Sequence, residues 1–245
     1  MWLPILMALP LGTGSTPDGV RFGWLGEAPT APKPTVFFFG GTVDSLTEPH
    51  YQPAIDTLGP GVLCVTIDMP ERGSLAGWRE QLDGGQPLVS DLTRRGTAVL
   101  NHLIERRWTD PSKVAVFGTS RGGLMAYHFA AAEPRVRHIA AFAPVTDLLI
   151  LAEFRDMKQP QRARAIAAAR VADSIAGVGH WMTIGTTDDR VGTASAIDFA
   201  QRLMEAARAA GLVPRIDLQV SPSDGHRVPE GSYGAAARWL AKQWR

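Results

Sequence analysis

The chain has 245 residues, 45% of them apolar and 20% charged, which is enough for one α/β domain with a substantial buried core. Its 25 Lys and Arg balance 24 Asp and Glu to a formal charge of +1. No basic run is interleaved with aromatics, so nucleic acid is excluded as the default partner.

At the start, the apolar stretch 2–11 reaches only about ten residues, too few to span a bilayer, and Pro4 and Pro10 interrupt it. It has no basic flank and no small-x-small cleavage site, so it reads as an edge strand or a loosely ordered terminus rather than a signal peptide. A cytoplasmic protein without a membrane span is the expectation. Pro29, Pro32 and Pro34 then punctuate a turn.

From there short apolar runs at 36–39, 62–67, 114–117, 139–142, 181–184 and 215–220 alternate with longer helical patterns. Each run is rich in β-branched or aromatic residues and ends at Gly, Pro, Ser or Asp, the rhythm of a mostly parallel sheet covered by helices on both faces. The lone cysteine, Cys64, falls inside the second run, where it forms no intrachain disulfide and reads as a small buried hydrophobe. Leu92, Ala98, Val99, Leu103 and Ile104 make one helical stripe over 91–107. Ile197, Ala200, Leu203, Met204 and Ala207 make another over 194–210, stopped by Gly211, and Ala236, Leu240 and Trp244 a third over 233–244. No repeat or composition shift marks a boundary, so residues 1–245 are expected to form a single domain.

The chemistry gathers at the carboxyl ends of these runs, first at the third. Residues 113–117 lead into Gly118-Thr119-Ser120-Arg121-Gly122-Gly123 and then a helical pattern, a strand, a tight turn and a helix around one serine. Neither the dinucleotide fingerprint nor the P-loop has this spacing. In that setting Ser120 is a candidate nucleophile, and the Arg121 N–H at the helix start faces the place where an oxyanion would develop.

A serine hydroxyl needs a base. Of six histidines, His102 and His128 lie within helices and His138 and His180 sit at the starts of strands; His50, in a loop after the first central run, is not eliminated by position. His226 follows the last run in Ser223-Asp224-Gly225-His226, on the carboxyl edge that also carries Ser120. One strand earlier on that edge, Asp188 and Asp189 are both placed to orient it. Asp147 is a more distant acid, better read as a helix N-cap.

With Ser120, the acid and His226 in that chain order, the sequence resembles the α/β-hydrolase superfamily over nearly its whole length, most closely the prolyl-oligopeptidase-like and small-esterase branch. The elbow at 118–123, the G-x-x-D-x-x-V acid loop at 185–191 and the G-H pair at 225–226 carry the likeness. The acid-loop match selects Asp188. The resemblance further implies an oxyanion partner in Phe39-Gly40-Gly41-Thr42, from the N–H of Gly41 or Thr42. Phe39 and Ile184 stand where many relatives carry His. The large propeller that precedes the oligopeptidases is not expected here.

Residues 146–180 are expected to form a small cap insertion, helical over 161–175. Leu148, Leu149 and Phe154 are its candidate substrate-pocket residues, and Arg190 is a candidate contact to a substrate carbonyl or carboxylate, or else half of a structural ion pair. The expected activity is hydrolysis of a small-molecule carboxylic ester through an acyl-enzyme on Ser120, with no metal or organic cofactor. A short-peptide or acyl-aminoacyl peptidase is the alternative within enzymology, and a catalytically silent binding module the alternative outside it. Nothing in the sequence specifies an oligomeric state.

Overall fold

The computed structural model describes residues 9–245. Most of the apolar stretch 2–11 therefore lies outside the described residues, while Leu11 opens the first strand. The strands are β1 (Leu11–Ser15), β2 (Arg21–Leu25), β3 (Lys33–Phe39), β4 (Leu63–Ile67), β5 (Thr109–Thr119), β6 (Val136–Phe142), β7 (Gly179–Gly185) and β8 (Ile216–Ser221). They form one sheet in the order β1-β2-β4-β3-β5-β6-β7-β8. β1 and β2 pair antiparallel and β2 joins β4 antiparallel; every pairing from β4 through β8 is parallel.

All six runs expected as central strands form strands, five of them inside the sheet, while β8 is its edge and has no fully buried residue. The β1–β2 hairpin is an addition, and glycines explain why its pattern is faint. Gly12 lies under the Trp24 ring, and a Cβ on Gly14 would sit 3.0 Å from Phe22. These glycines trade β-propensity for room under two aromatic rings.

Among the described residues seven α-helices accompany the sheet: α1 (Gln52–Leu58), α2 (Leu75–Asp83), α3 (Leu88–Glu105), α4 (Arg121–Ala132), α5 (Pro160–Ala165), α6 (Thr193–Ala209) and α7 (Ser232–Gln243). Alternation along each strand divides the interior into two cores. Phe37, Phe39, Val114, Val116, Ile139, Ala141 and Met182 face the side built from α2 to α6. Val36, Phe38, Ala115, Phe117, Ala140, Phe142 and Trp181 face α1 and α7. Cys64 is in the second core, where burial pushes its thiol up to about 12.

The insertion departs from expectation. In place of one helix over 161–175 there are α5 and a 3-10 turn, Ala168–Val171. Tertiary bonds break the helix: Ala167 is extended at φ −58°, ψ 143°, the Ala168 N–H donates to the Thr146 carbonyl at 2.8 Å, and His128 Nε2 donates to the Ile166 carbonyl at 2.8 Å.

Candidate active site

β5 runs through Thr119 into Ser120 at φ 53°, ψ −117°, and α4 begins at Arg121. That dihedral pair is costly for a residue with a Cβ. The surroundings hold it: the Ser120 N–H donates to the Phe142 carbonyl at 2.8 Å, and the Ser120 carbonyl accepts from Gly123 at 2.9 Å and Val145 at 3.0 Å. The flanking glycines are required by space. A Cβ on Gly118 would strike the Gly122 backbone, one on Gly122 the Phe39 carbonyl, and one on Gly123 would lie 2.7 Å from Pro144.

His226 stands in the loop after β8. The Thr187 hydroxyl ties that loop to the acid loop by donating to the Ser223 carbonyl at 2.6 Å, and Gly225 turns it at φ 56°. His226 Nε2 lies 2.9 Å from Ser120 Oγ, and Nδ1 lies 2.8 Å from Asp188 Oδ2. The Asp188 side chain is fully buried, while that of His226 keeps 23% of its surface exposed. Asp188 Oδ1 accepts the N–H of Arg190 at 3.1 Å and of Val191 at 3.2 Å, so both carboxylate oxygens serve as acceptors. Asp189 next to it is exposed.

The remaining histidines lie elsewhere. His138 and His180 occupy the amino-terminal parts of β6 and β7, the edge opposite the elbow. His102 packs edge-on against Phe22, and His50 lies against Tyr51 and Tyr233. Asp147 caps a 3-10 turn, accepting the Leu149 N–H at 2.9 Å.

Gly41 and Thr42 follow β3 beside the elbow. Gly41 has φ 147°, and its carbonyl accepts from Met69 at 2.9 Å; the Val43 N–H is taken by Asp68 at 3.0 Å. Among the described residues the N–H groups of Gly41 and Thr42 donate to no protein acceptor, and that of Arg121, first in its helix, has no intrahelical one.

The candidate pocket residues fare differently. Leu148 and Phe154 are 0% and 1% exposed and belong to the main core, so they pack the insertion onto the domain rather than presenting a free face. Leu149 is half-buried against that core. The Arg190 guanidinium is engaged by Glu153, whose carboxyl it holds below the usual range, so the ion-pair reading of Arg190 is the one seen. The insertion is strapped to α2 as well: Arg79 donates to the carbonyls of Glu153 and Asp156, both at 3.4 Å, and the Gln159 N–H donates to Asp83 at 2.9 Å.

Two features lay beyond sequence reasoning. Behind the elbow the Thr119 hydroxyl is 3.3 Å from the Tyr51 hydroxyl and 3.0 Å from that of Tyr233. Burial pushes Tyr51 up to about 12 and Tyr233 higher still, so both phenols keep their protons. The other is the Arg121 side chain. Among the described residues no cluster of three or more His, Cys, Asp or Glu could hold a metal ion, and no helix is long and apolar enough to cross a membrane.

Residues 78–245 match the prolyl oligopeptidase family. Esterase FrsA of Yersinia pestis (strain Pestoides F) is 30% identical over 172 residues, 69% of this chain and 39% of that protein, so the chain spans about two fifths of the length of the curated relatives it matches. Among solved structures, dipeptidyl peptidase 4 of Porphyromonas gingivalis superimposes with a TM-score of 0.73 at 16% identity over 96% of this chain and 36% of its own. A cold-adapted esterase from an Arctic intertidal metagenomic library gives 0.68 at 14% identity, over 98% of this chain and 96% of its own.

Proposed function

The chain belongs to the prolyl oligopeptidase family and is a serine hydrolase with the α/β-hydrolase fold, and from that premise we propose that it cleaves a carboxylic ester through an acyl-enzyme on Ser120. The observation that carries the reading is the continuous hydrogen-bonded line Ser120 Oγ, His226, Asp188. In the first half-reaction His226 Nε2 takes the Ser120 proton as Oγ attacks the carbonyl carbon, then gives that proton to the departing alkoxide. In the second half-reaction water, deprotonated by the same nitrogen, releases the acid and restores Ser120. Asp188 holds the Nδ1–H tautomer and stabilises the imidazolium formed in each half. The N–H groups of Arg121 and of Gly41 or Thr42 receive the oxyanion, each such donor contributing about 10²–10³ in rate.

An ester is favoured over a peptide by the name of the 30%-identical relative and by a structural neighbour, itself an esterase, matched over nearly its full length. Peptide cleavage is the second reading, supported by the family match and the dipeptidyl peptidase likeness. Residues 146–180 act as a short cap, held to α2 and the acid loop by Arg79, Asp83 and Arg190 rather than swinging as a lid. Leu149 is the insertion's remaining candidate for touching an acyl chain.

Incubation with a fluorophosphonate probe, read by intact mass and peptide mapping, tests the nucleophile. Stoichiometric labelling at Ser120, lost in Ser120→Ala, is expected; a folded wild type that does not label would overturn the proposal. Matched ester and amide substrates then separate the two readings.

A further inference from the structure

The side chain of Arg121 is not used by the chemistry above. Its guanidinium lies over Gly73 and reaches Gly41: a Cβ on Gly73 would sit 2.6 Å from Nε, 3.3 Å from Cζ and 3.2 Å from Nη2, and one on Gly41 would sit 3.4 Å from Nη2. At Gly73 a Cβ would crowd the guanidinium, while at Gly41 it would stand in ordinary contact with it. The segment that receives the guanidinium is strained, with Glu71, Arg72 and Gly73 in succession at φ 47°, 50° and 74°. Two non-glycine residues in the left-handed region, beside the elbow, are a cost that a structural turn does not require.

No protein group answers the charge. Among the described residues the Arg121 side chain makes no ion pair and no hydrogen bond, and its Nε is buried without an acceptor. The two acids of the 68–73 segment are committed elsewhere. Glu71 accepts from Gln81 at 3.0 Å, and Asp68 is held by the Val43 N–H and faces Arg21 at 3.7 Å. A guanidinium carries five N–H donors in a planar fork suited to a carboxylate, and leaving a desolvated donor unmatched is unfavourable. Here the fork sits one residue from the nucleophile and against the strand-end loop that carries Gly41.

We propose that the Arg121 side chain binds a carboxylate of the substrate, making the preferred substrate an ester whose acyl part carries a second, free carboxylate a few bonds from the scissile carbonyl. This rests on Ser120 being the nucleophile. It makes Arg121 a specificity-determining residue through its side chain, separate from the use of its backbone N–H. The competing explanation is a wedge that merely supports the 70–73 turn.

Two matched ester pairs separate these: monomethyl succinate against methyl butanoate, and monomethyl glutarate against methyl pentanoate, read by methanol release. The wild type should favour the charged member of a pair. In Arg121→Met that preference, taken as a ratio of kcat/KM values within one sample so that loss of folded enzyme cancels, should fall about 10- to 100-fold, with Arg121→Lys recovering part of it. A measurement on the wild type alone guards against variants that do not fold: succinamate should slow fluorophosphonate labelling of Ser120 where butyramide does not. Labelling with no charged preference and no protection would overturn the carboxylate site while leaving the serine hydrolase intact. Equal losses on both esters in Arg121→Met would establish the wedge instead, and a wild type that never labels would bring down the underlying reading with it.

Discussion

Asp188 has both oxygens committed, one to two backbone N–H groups and one to His226. That arrangement admits only acceptors. In Asp188→Asn the side-chain amide must turn its NH₂ toward either the Arg190 and Val191 amides, donor against donor, or toward His226 Nδ1. The second choice leaves Nδ1 as acceptor and puts the ring proton on Nε2, where it can no longer take one from Ser120. The variant should keep its fold and KM and lose about 10⁴ in kcat on any ester it cleaves, as expected for a triad acid; steady-state kinetics with a thermal melt reads this, and a kcat near wild type would remove Asp188 from the mechanism. Ser120 and His226 were legible in the sequence because each follows a strand on the same edge. The residues alone left Asp188 and Asp189 open, and only the family acid loop separated them. Arg121 as an unanswered cation was not legible, since its isolation depends on where Glu71 and Asp68 turn.

At the scale of elements, most of those legible in the sequence are the ones whose own residues bury them: the five strands β3 to β7 with apolar runs, and the three long helices with a clean stripe, whereas β8 shows itself only by its apolar-polar alternation. Elements defined by their neighbours were not legible. β1 and β2 are interrupted by glycines that make sense only under Trp24 and Phe22, and the end of α5 is set by bonds from Ala168 and His128. At the elbow two elements meet without slack, because Gly122 of α4 lies against the Phe39 carbonyl of β3. β3 is paired on both sides, by β4 and β5, and cannot retreat. Gly122→Ala should therefore cost more than about 3 kcal/mol, at or beyond the upper end of ordinary overpacking. Gly61→Ala meets nothing within 4 Å and should change stability by less than about 0.5 kcal/mol. Urea midpoints of the two variants compare them directly; equal midpoints would mean that the β3–α4 junction yields more than its packing implies.

The whole molecule buries histidines on the edge away from the chemistry, and these tie its stability to pH. His138 accepts from Arg215 at 3.2 Å and His180 donates to the Ile175 carbonyl at 3.1 Å, each leaving Nδ1 buried and unpartnered. Burial foremost pushes both down from 6.5 to about 4, with Arg215 adding to the shift. Above pH 6.5 both are neutral folded or unfolded and contribute no slope. Between 6.5 and 4 the unfolded chain takes up protons that the folded chain refuses, so stability falls with falling pH by up to about 1.4 kcal/mol per unit for each histidine. Carboxyls such as Asp91 and Glu133, held below their ordinary values of 3.8 and 4.5, contribute stability that is present above those values and lost only as pH drops through their lowered ones. The upper part of the acid range thus belongs to the histidines and the lower part to the carboxyls. Urea unfolding at pH 7.5, 6.5, 5.5 and 4.5 should show a decline that starts near 6.5, and His180→Gln should flatten it between 6.5 and 4.5 even though the variant begins less stable. A curve level down to pH 5 would show that neither ring is kept neutral by its burial.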